Sequence, residues 1–185
     1  MDSDNISTKE NNKSKNRGDL DNLKSIFMFK KIFNNLHKNK LLLISKYNKR
    51  IQNKLNLSIK DYKEFSNIEI EIIPTKDKYG KFINVNEGYK KYCHTYFNDN
   101  KKEIKRNYLN ENEDIEKIKI VLDYQIKSFE GLFEYCKCIE HIYFKKFYRN
   151  NINNMSYMFS RCSGLKELNF SNFNTNNVTK MGGDV

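Results

Sequence analysis

Asn154-Met155-Ser156-Tyr157-Met158-Phe159-Ser160-Arg161-Cys162-Ser163-Gly164-Leu165-Lys166-Glu167-Leu168-Asn169-Phe170-Ser171 decides the reading of this chain, because a displaced copy of it stands immediately upstream. A shift of 26 positions lays Phe129 on Met155, Leu132-Phe133 on Met158-Phe159, and Cys136 on Cys162. The same shift lays Ile139 on Leu165, Ile142 on Leu168, Phe144 on Phe170, Phe147 on Phe173 and Ile152 on Val178. Met155 falls on Met181, where a third copy opens. So many apolar coincidences in one frame mark an internal repeat running from Ile126 to Met181. Within a copy, Leu168-Asn169-Phe170 alternates as a strand does, whereas Met155, Met158, Phe159 and Cys162 follow the i, i+3, i+4, i+7 spacing of one or two helical turns. Asn150-Asn151 and Asn176-Asn177 predict turns, since Asn tolerates left-handed backbone angles and bonds its own main chain. One such unit cannot bury its apolar face alone; stacked on a neighbour, it can.

A period of this length around Ile139-x-x-Ile142-x-Phe144 and Leu165-x-x-Leu168-x-Phe170 reads as leucine-rich repeats. The run from Asn154 through Phe173 and Val178 to Met181 resembles the BspA-like leucine-rich repeats, M-x-x-M-F-x-x-C-x-x-L-x-x-L-x-L-S-x-F-x-T-x-x-V-x-x-M. The resemblance spans about two units, roughly a third of the chain, and Phe129, Leu132 and Tyr143 depart from it as a capping repeat does. It implies a binding scaffold, often adhesive and not catalytic, of surface proteins in host-associated bacteria, mycoplasmas and protists. The expected fold is α+β: an N-terminal helical hairpin, a small sheet, then the first two to three rungs of a leucine-rich-repeat solenoid. Residues 1–20 are expected as a disordered tail, 21–66 as a basic helical segment, 67–124 as a β-rich cap region and 125–185 as the repeats.

The protein partner is expected on the repeat strands, where residues between core positions face outward. These are His141, Tyr143 and Lys145 in one unit and Glu167, Asn169 and Ser171 in the next. A Tyr beside a Lys is a reasonable contact patch. The last unit breaks at Gly182-Gly183-Asp184-Val185, which predicts a fragment of a longer array. Its open end, Leu165 to Phe173, is expected to self-associate.

Upstream, Ile26, Phe29, Phe33 and Leu36, then Leu41, Ile44, Tyr47, Ile51 and Leu55, recur at helical spacing, capped at Asp19 or Asp21. Ser58-x-x-Asp61 opens a third short helix through Phe65. Lys24 to Lys60 holds ten Lys or Arg and no Asp or Glu, and so supplies most of the net charge of +11. Three readings of this segment stand side by side. In the first its lysines are simply solvated. In the second, Ile32-Phe33-Asn34-Asn35-Leu36 and Leu41 to Arg50 are similar to F-box elements, which implies a ubiquitin-ligase adaptor contact through Ile32, Phe33, Leu36, Leu42 and Ile44. The third is an amphipathic helix on an anionic membrane or on RNA. Nucleic acid is not the expected partner, because basic residues must share a face and not merely be abundant. The absence of Ala and Trp, with one Pro and many Lys and Asn, reflects an AT-rich coding bias.

From Ile68 the period becomes two. Ile68-Glu69-Ile70-Glu71-Ile72 predicts a strand stopped by Pro74, and Tyr79-Gly80 a turn. Further strands are expected over Lys81–Val85, Tyr92–Phe97, Ile104–Leu109 and Ile118–Leu122, with a turn at Asn98-Asp99-Asn100. Ile118 and Val121 lie 26 positions before Phe144 and Phe147, so this last strand is expected as a degenerate first rung joining sheet to repeats.

Cys93-His94, Cys136-x-Cys138 and Cys162 fit no zinc spacing, and Cys136 and Cys162, as repeat equivalents, are expected to stack as small buried groups. His37, His94 and His141 stand in no nucleophile–acid pattern, and no glycine-rich phosphate loop occurs. Neither enzyme activity nor a metal, cofactor or small-molecule substrate is expected. The polar start from Met1 to Arg17 is not a signal peptide, and no apolar run spans a bilayer. As written, the chain is expected in the cytoplasm, whereas the family resemblance implies the cell surface.

Overall fold

Strand β1, Ile68–Pro74, is where the fold is decided, for its strict alternation buries Ile68, Ile70 and Ile72 and leaves Glu69 and Glu71 on the opposite face. The computed structural model describes residues 26–76, 78–171, 173 and 175–183. The expected tail at 1–20 and the cap at Asp19 or Asp21 lie outside them. Strands β2 (Gly80–Lys81), β3 (Cys93–Phe97), β4 (Tyr108–Leu109), β5 (Ile118–Leu122), β6 (Ile139–Lys146) and β7 (Glu167–Asn169) follow. Five of the seven form one sheet in the order β3-β5-β1-β6-β7, and β2 pairs with β4 separately.

The expected leucine-rich-repeat solenoid is not what the chain builds. The architecture is α+β, with few short helices and a mixed sheet in which β3–β5, β5–β1 and β1–β6 pair antiparallel and only β6–β7 is parallel. The physical reason lies in β1. This strand from outside the repeat occupies the free edge of β6, setting Glu71 opposite Tyr143 and Ile72 opposite Ile142. β5 therefore pairs with β1 and β3 and is not the rung that its spacing suggested.

The 26-residue shift is nevertheless written into the backbone bonds of the last third. β7 pairs with β6 as His141–Glu167, Ile142–Leu168 and Tyr143–Asn169, and Ser128, Asn154 and Lys180 form parallel bridges in sequence. A ladder connects the turns: Phe129 N–H donates to Asn154 O at 2.8 Å, Gly131 to Ser156 at 2.9 Å, Phe133 to Met158 at 2.9 Å and Tyr135 to Ser160 at 2.9 Å. One step on, Met155 donates to Lys180 and Tyr157 to Gly182. The helical turns expected over Met155–Cys162 are instead consecutive tight turns, because Tyr157 (φ 57°) and Arg161 (φ 57°) are left-handed. Their counterparts 26 residues earlier, Gly131 (φ 60°) and Tyr135 (φ 59°), are left-handed as well.

The turns also explain the asparagines. Asn151 Nδ2 donates to Tyr124 O and Asn177 Nδ2 to Asn150 O, each reaching back 27 residues and holding one unit on the last. Gly164 is required for another reason: a Cβ there would collide with Lys137 O and stand 2.8 Å from Ile139 O. The core beneath the sheet joins Ile68, Ile70, Ile72, Ile118, Ile120 and Leu122 to Phe82, Phe129, Phe133, Phe144 and Phe147. Phe82 and Ile83 are buried without the long strand expected over Lys81–Val85; β2 contributes only Gly80 and Lys81. Asn84 closes that side, with its amide donating to Glu134 O at 2.6 Å and Gly131 O at 3.2 Å.

The chain divides into two compact units, Met1–Ser58 and Ile59–Val185. In the first, three short helices replace the expected hairpin: α1 (Ile26–Asn34), α2 (Lys38–Ser45) and α3 (Lys49–Lys54). Asn48 accounts for the extra break, since its side chain caps α3 by accepting from Ile51 N–H at 3.1 Å. Phe33 and Ile51 form a small core with Leu36, Leu41 and Leu55. Helix α4 (Ile59–Ser66) belongs to the second unit, where Phe65 stacks on Tyr148 at 5.2 Å.

Candidate functional site

The five-stranded sheet has one face closed by the core and one open to solvent. Because side chains alternate, the cross-strand register lines up Tyr96, Lys119, Glu71, Tyr143 and Asn169 in a single row across all five strands of the open face. A second row sets Ile73 beside His141 and Glu167. The six residues expected from the repeat divide accordingly. His141 and Tyr143 are half-buried on β6, while Lys145, Glu167 and Asn169 are exposed. Ser171 is exposed in the turn after β7, and its backbone N–H donates to Asn169 Oδ1 at 2.9 Å.

These side chains form one connected surface. The Glu167 carboxylate accepts from Tyr143 OH at 3.0 Å and lies 3.3 Å from His141 Nδ1. The rings of His141 and Tyr143 stack with centroids 6.1 Å apart. Lys145 Nζ stands 5.1 Å above the Tyr143 ring and 3.0 Å from Glu71 Oε1. Loss of solvent, with Glu167 alongside, pushes the Tyr143 hydroxyl above the usual phenol range. Glu140 is held below the usual carboxylate range by Lys166, its ion-pair partner at 2.6 Å. Sequence reasoning missed Glu71, Lys119 and Tyr96. The alternation around Glu69 and Glu71 was visible, but nothing local shows that β1 pairs with a strand some 70 residues away.

The adaptor residues of the first unit separate by burial. Phe33 and Leu42 are core and Leu36 is half-buried, whereas Ile32 and Ile44 are exposed together with Phe27, Met28 and Leu43.

Three other clusters carry chemistry. A cleft of about 880 Å³ is walled by Asn84, Glu87, Lys90, Glu130, Glu134, Tyr135 and Tyr157. His94 lies between two carboxylates, Glu103 at 2.8 Å and Asp123 at 3.4 Å, so its two nitrogens engage different acids. Arg149 is 6% exposed; Nη1 donates to Asp123 O at 2.9 Å, while Nε and Nη2 are buried without an acceptor and Asn151 Oδ1 is buried without a donor. None of the four cysteines is in a disulfide. Cys162 Sγ donates to Phe133 O at 2.8 Å and Cys138 Sγ to Lys81 O at 3.1 Å. Burial pushes the Cys93 thiol up to about 11 and Cys136 far above the ordinary thiol range. Cys162 is only half-buried, unlike its counterpart Cys136. Among the described residues no group of three or more His, Cys, Asp or Glu is placed to hold a metal ion, and no helix is long and apolar enough to cross a membrane.

Comparison with known protein families, with curated proteins and with solved structures found no match.

Proposed function

We propose that this chain is a non-catalytic protein-interaction module whose contact surface is the open face of the sheet, centred on Tyr143. The observation that carries this reading is the row Tyr96, Lys119, Glu71, Tyr143 and Asn169, laid across five strands whose other face packs on the core. Half-buried aromatics held by neighbouring charges lose little freedom on contact and offer both apolar area and hydrogen bonds. The resemblance of residues 126–181 to BspA-like repeats of surface proteins points to binding as well. The test is a photo-crosslinking residue at position 143, with exposed Tyr89 as the reference position. A discrete adduct from position 143 that disappears in Lys145→Glu is the expected result; labelling no stronger than from position 89 overturns the reading.

A second reading is favoured by the exposed apolar residues Ile32, Ile44, Phe27, Met28 and Leu43 in a unit otherwise rich in lysine. In this reading residues 26–57 contact a ubiquitin-ligase adaptor as an F-box does, through Ile32 and Ile44, while Phe33 and Leu42 hold the helices together. Ile32→Asp with Ile44→Asp should abolish capture of a purified adaptor. Unchanged capture refutes it, and steeply salt-dependent binding to anionic vesicles or RNA would favour the membrane or nucleic-acid alternative.

A further inference from the structure

Two dibasic pairs, Lys90-Lys91 and Lys105-Arg106, flank β3 in the sequence, and the fold brings them to one place. Lys90 and Lys91 stand in the last turn of a 3₁₀ helix, Glu87–Tyr92, that leads into β3. Beyond β3, Ile104 N–H donates to Thr95 O at 2.8 Å and draws Lys105-Arg106 back beside the strand. Between the pairs lies a cavity of about 370 Å³, within the range of roughly 300–1,000 Å³ of small-molecule sites. Ile83, Val85, Cys93 and Ile104 give it an apolar wall. Its charged lining, among the described residues, is cationic throughout: Lys90, Lys91, Lys105 and Arg106. Side chains alternate along β3, so Cys93 and Thr95 face away from Tyr96 and the open face.

We infer that this cavity binds a small amphipathic anion, a carboxylate or a phosphate monoester with a short apolar body. The head lies among Lys91, Lys105 and Arg106, and the body rests on Ile83, Val85 and Ile104. Arg106 is a fixed member of the set: it pairs with Glu113 at 2.5 Å and lies 5.3 Å from the Phe97 ring centroid. Lys90 and Lys105 pair at 2.6 Å with Glu87 and Glu103, carboxylates outside the cavity lining. Solvent-exposed pairs of this kind contribute little, so both ammonium groups are free to turn to an anion in the cavity. Glu103 keeps its bond to His94 at 2.8 Å when Lys105 turns inward. Sign and burial together select the ligand class. A neutral apolar ligand would make no use of the four cations, and a bare inorganic anion would make no use of the apolar wall. The cleft of about 880 Å³ shares Val85, Lys90 and Asn107 with this cavity but adds Glu87, Glu130 and Glu134, so it does not select by sign. The inference stands independently of the interaction reading of the Tyr143 face.

Titration calorimetry and amide NMR spectra of the full chain test this with five probes, each below its micelle concentration. These are octanoate, octyl phosphate, acetate, inorganic phosphate and octyltrimethylammonium. Octanoate or octyl phosphate should bind saturably, the tighter of the two naming the head group, with shifts gathered on Cys93, Thr95, Ile104 and Lys105. The bare heads and the octyl cation should bind at least about ten-fold more weakly. Lys91→Glu combined with Lys105→Glu should weaken the preferred probe at least about ten-fold, with circular dichroism reporting that the variant is folded. Should that variant fail to fold, the comparison of probe sign and length on the native chain still decides. Absence of saturable binding by both octyl anions, equal binding of octyltrimethylammonium, or equal binding of the bare heads overturns the inference. So do shifts centred on Glu130 and Tyr135, and so does a folded charge-reversed variant that binds unchanged.

Discussion

Residues 126–151 and 152–177 are two readings of one pattern, and they differ in what covers them. Phe133, Cys136, Ile139 and Ile142 are fully buried, whereas Phe159, Cys162, Leu165 and Leu168 at the same positions are partly exposed. The chemistry of the side chains is nearly constant between the two, so burial here is set by neighbours rather than by residue type. The earlier unit has β1 on one side and the later unit on the other; among the described strands the later unit pairs with the earlier one. Aromatic contacts run across the boundary: Phe133 stacks on Phe159 at 5.7 Å, Phe144 meets Phe173 at 4.9 Å, and Phe147 meets Phe173 at 4.5 Å. The later unit thus serves as the lid of the earlier one.

The largest expected effect breaks or confirms this asymmetry directly. Phe133→Ala removes a fully buried ring and should cost about 3–5 kcal/mol, while Phe159→Ala at the equivalent position should cost about half as much. Urea denaturation of the two variants measures both; equal losses would show that the partial exposure of the later unit is not energetically real. Next in size is Gly164→Ala, which drives a methyl into the carbonyls of Lys137 and Ile139 and should destabilise by about 2 kcal/mol. At Gly88, where a Cβ would sit an ordinary 3.7 Å from Asn86 Oδ1, the same change should lie within about 0.5 kcal/mol of neutral. Thermal melts of the pair separate close approach between units from general intolerance of Ala.

A smaller effect concerns the open face. Glu167→Gln retains the shape but weakens the contacts to Tyr143 and His141, at 3.0 and 3.3 Å. Solvent reaches this pair, so the effect on stability should be small. A tyrosine titration followed by absorbance should show the Tyr143 hydroxyl ionising at lower pH in the variant, because the neighbouring carboxylate helps to hold it up. An unmoved titration would detach Tyr143 from the later unit.

The sequence carried the 26-residue frame, and hence the pairs His141–Glu167 and Tyr143–Asn169, because a repeat reports on its own stacking. The α+β class and the strand at Ile68 were legible too, since alternation is local. What the frame could not report was the neighbour on the other side. Antiparallel docking of β1 on β6 depends on contacts far apart in the chain, and it converted an expected solenoid into a mixed sheet. The turns of Met155–Cys162 misled for a different reason. Apolar spacing records which side chains go inward, and left-handed residues at Tyr157 and Arg161 reproduce that spacing without a helix. Glu71 and Lys119 escaped notice because a cross-strand row exists only once the strand order is known.

Arg149 offers the finest probe of the two units, because it reaches from its own position to the carbonyl of Asp123, 26 residues earlier. One unit on, the position is Thr175, exposed to solvent. Burial disfavours the charge of Arg149 and pulls its guanidinium below the ordinary range, yet an arginine keeps its proton, so the cost of burying the charge is borne in full. Nε and Nη2 have no acceptor to offset it. Arg149→Met keeps the apolar length of the side chain without the charge, and should raise stability by about 1 kcal/mol in denaturant melts at neutral pH. A loss of stability of similar size would mean that the bond to the Asp123 carbonyl, with water reaching Nε and Nη2, outweighs the buried charge, and that this position is no more enclosed in the earlier unit than Thr175 is in the later.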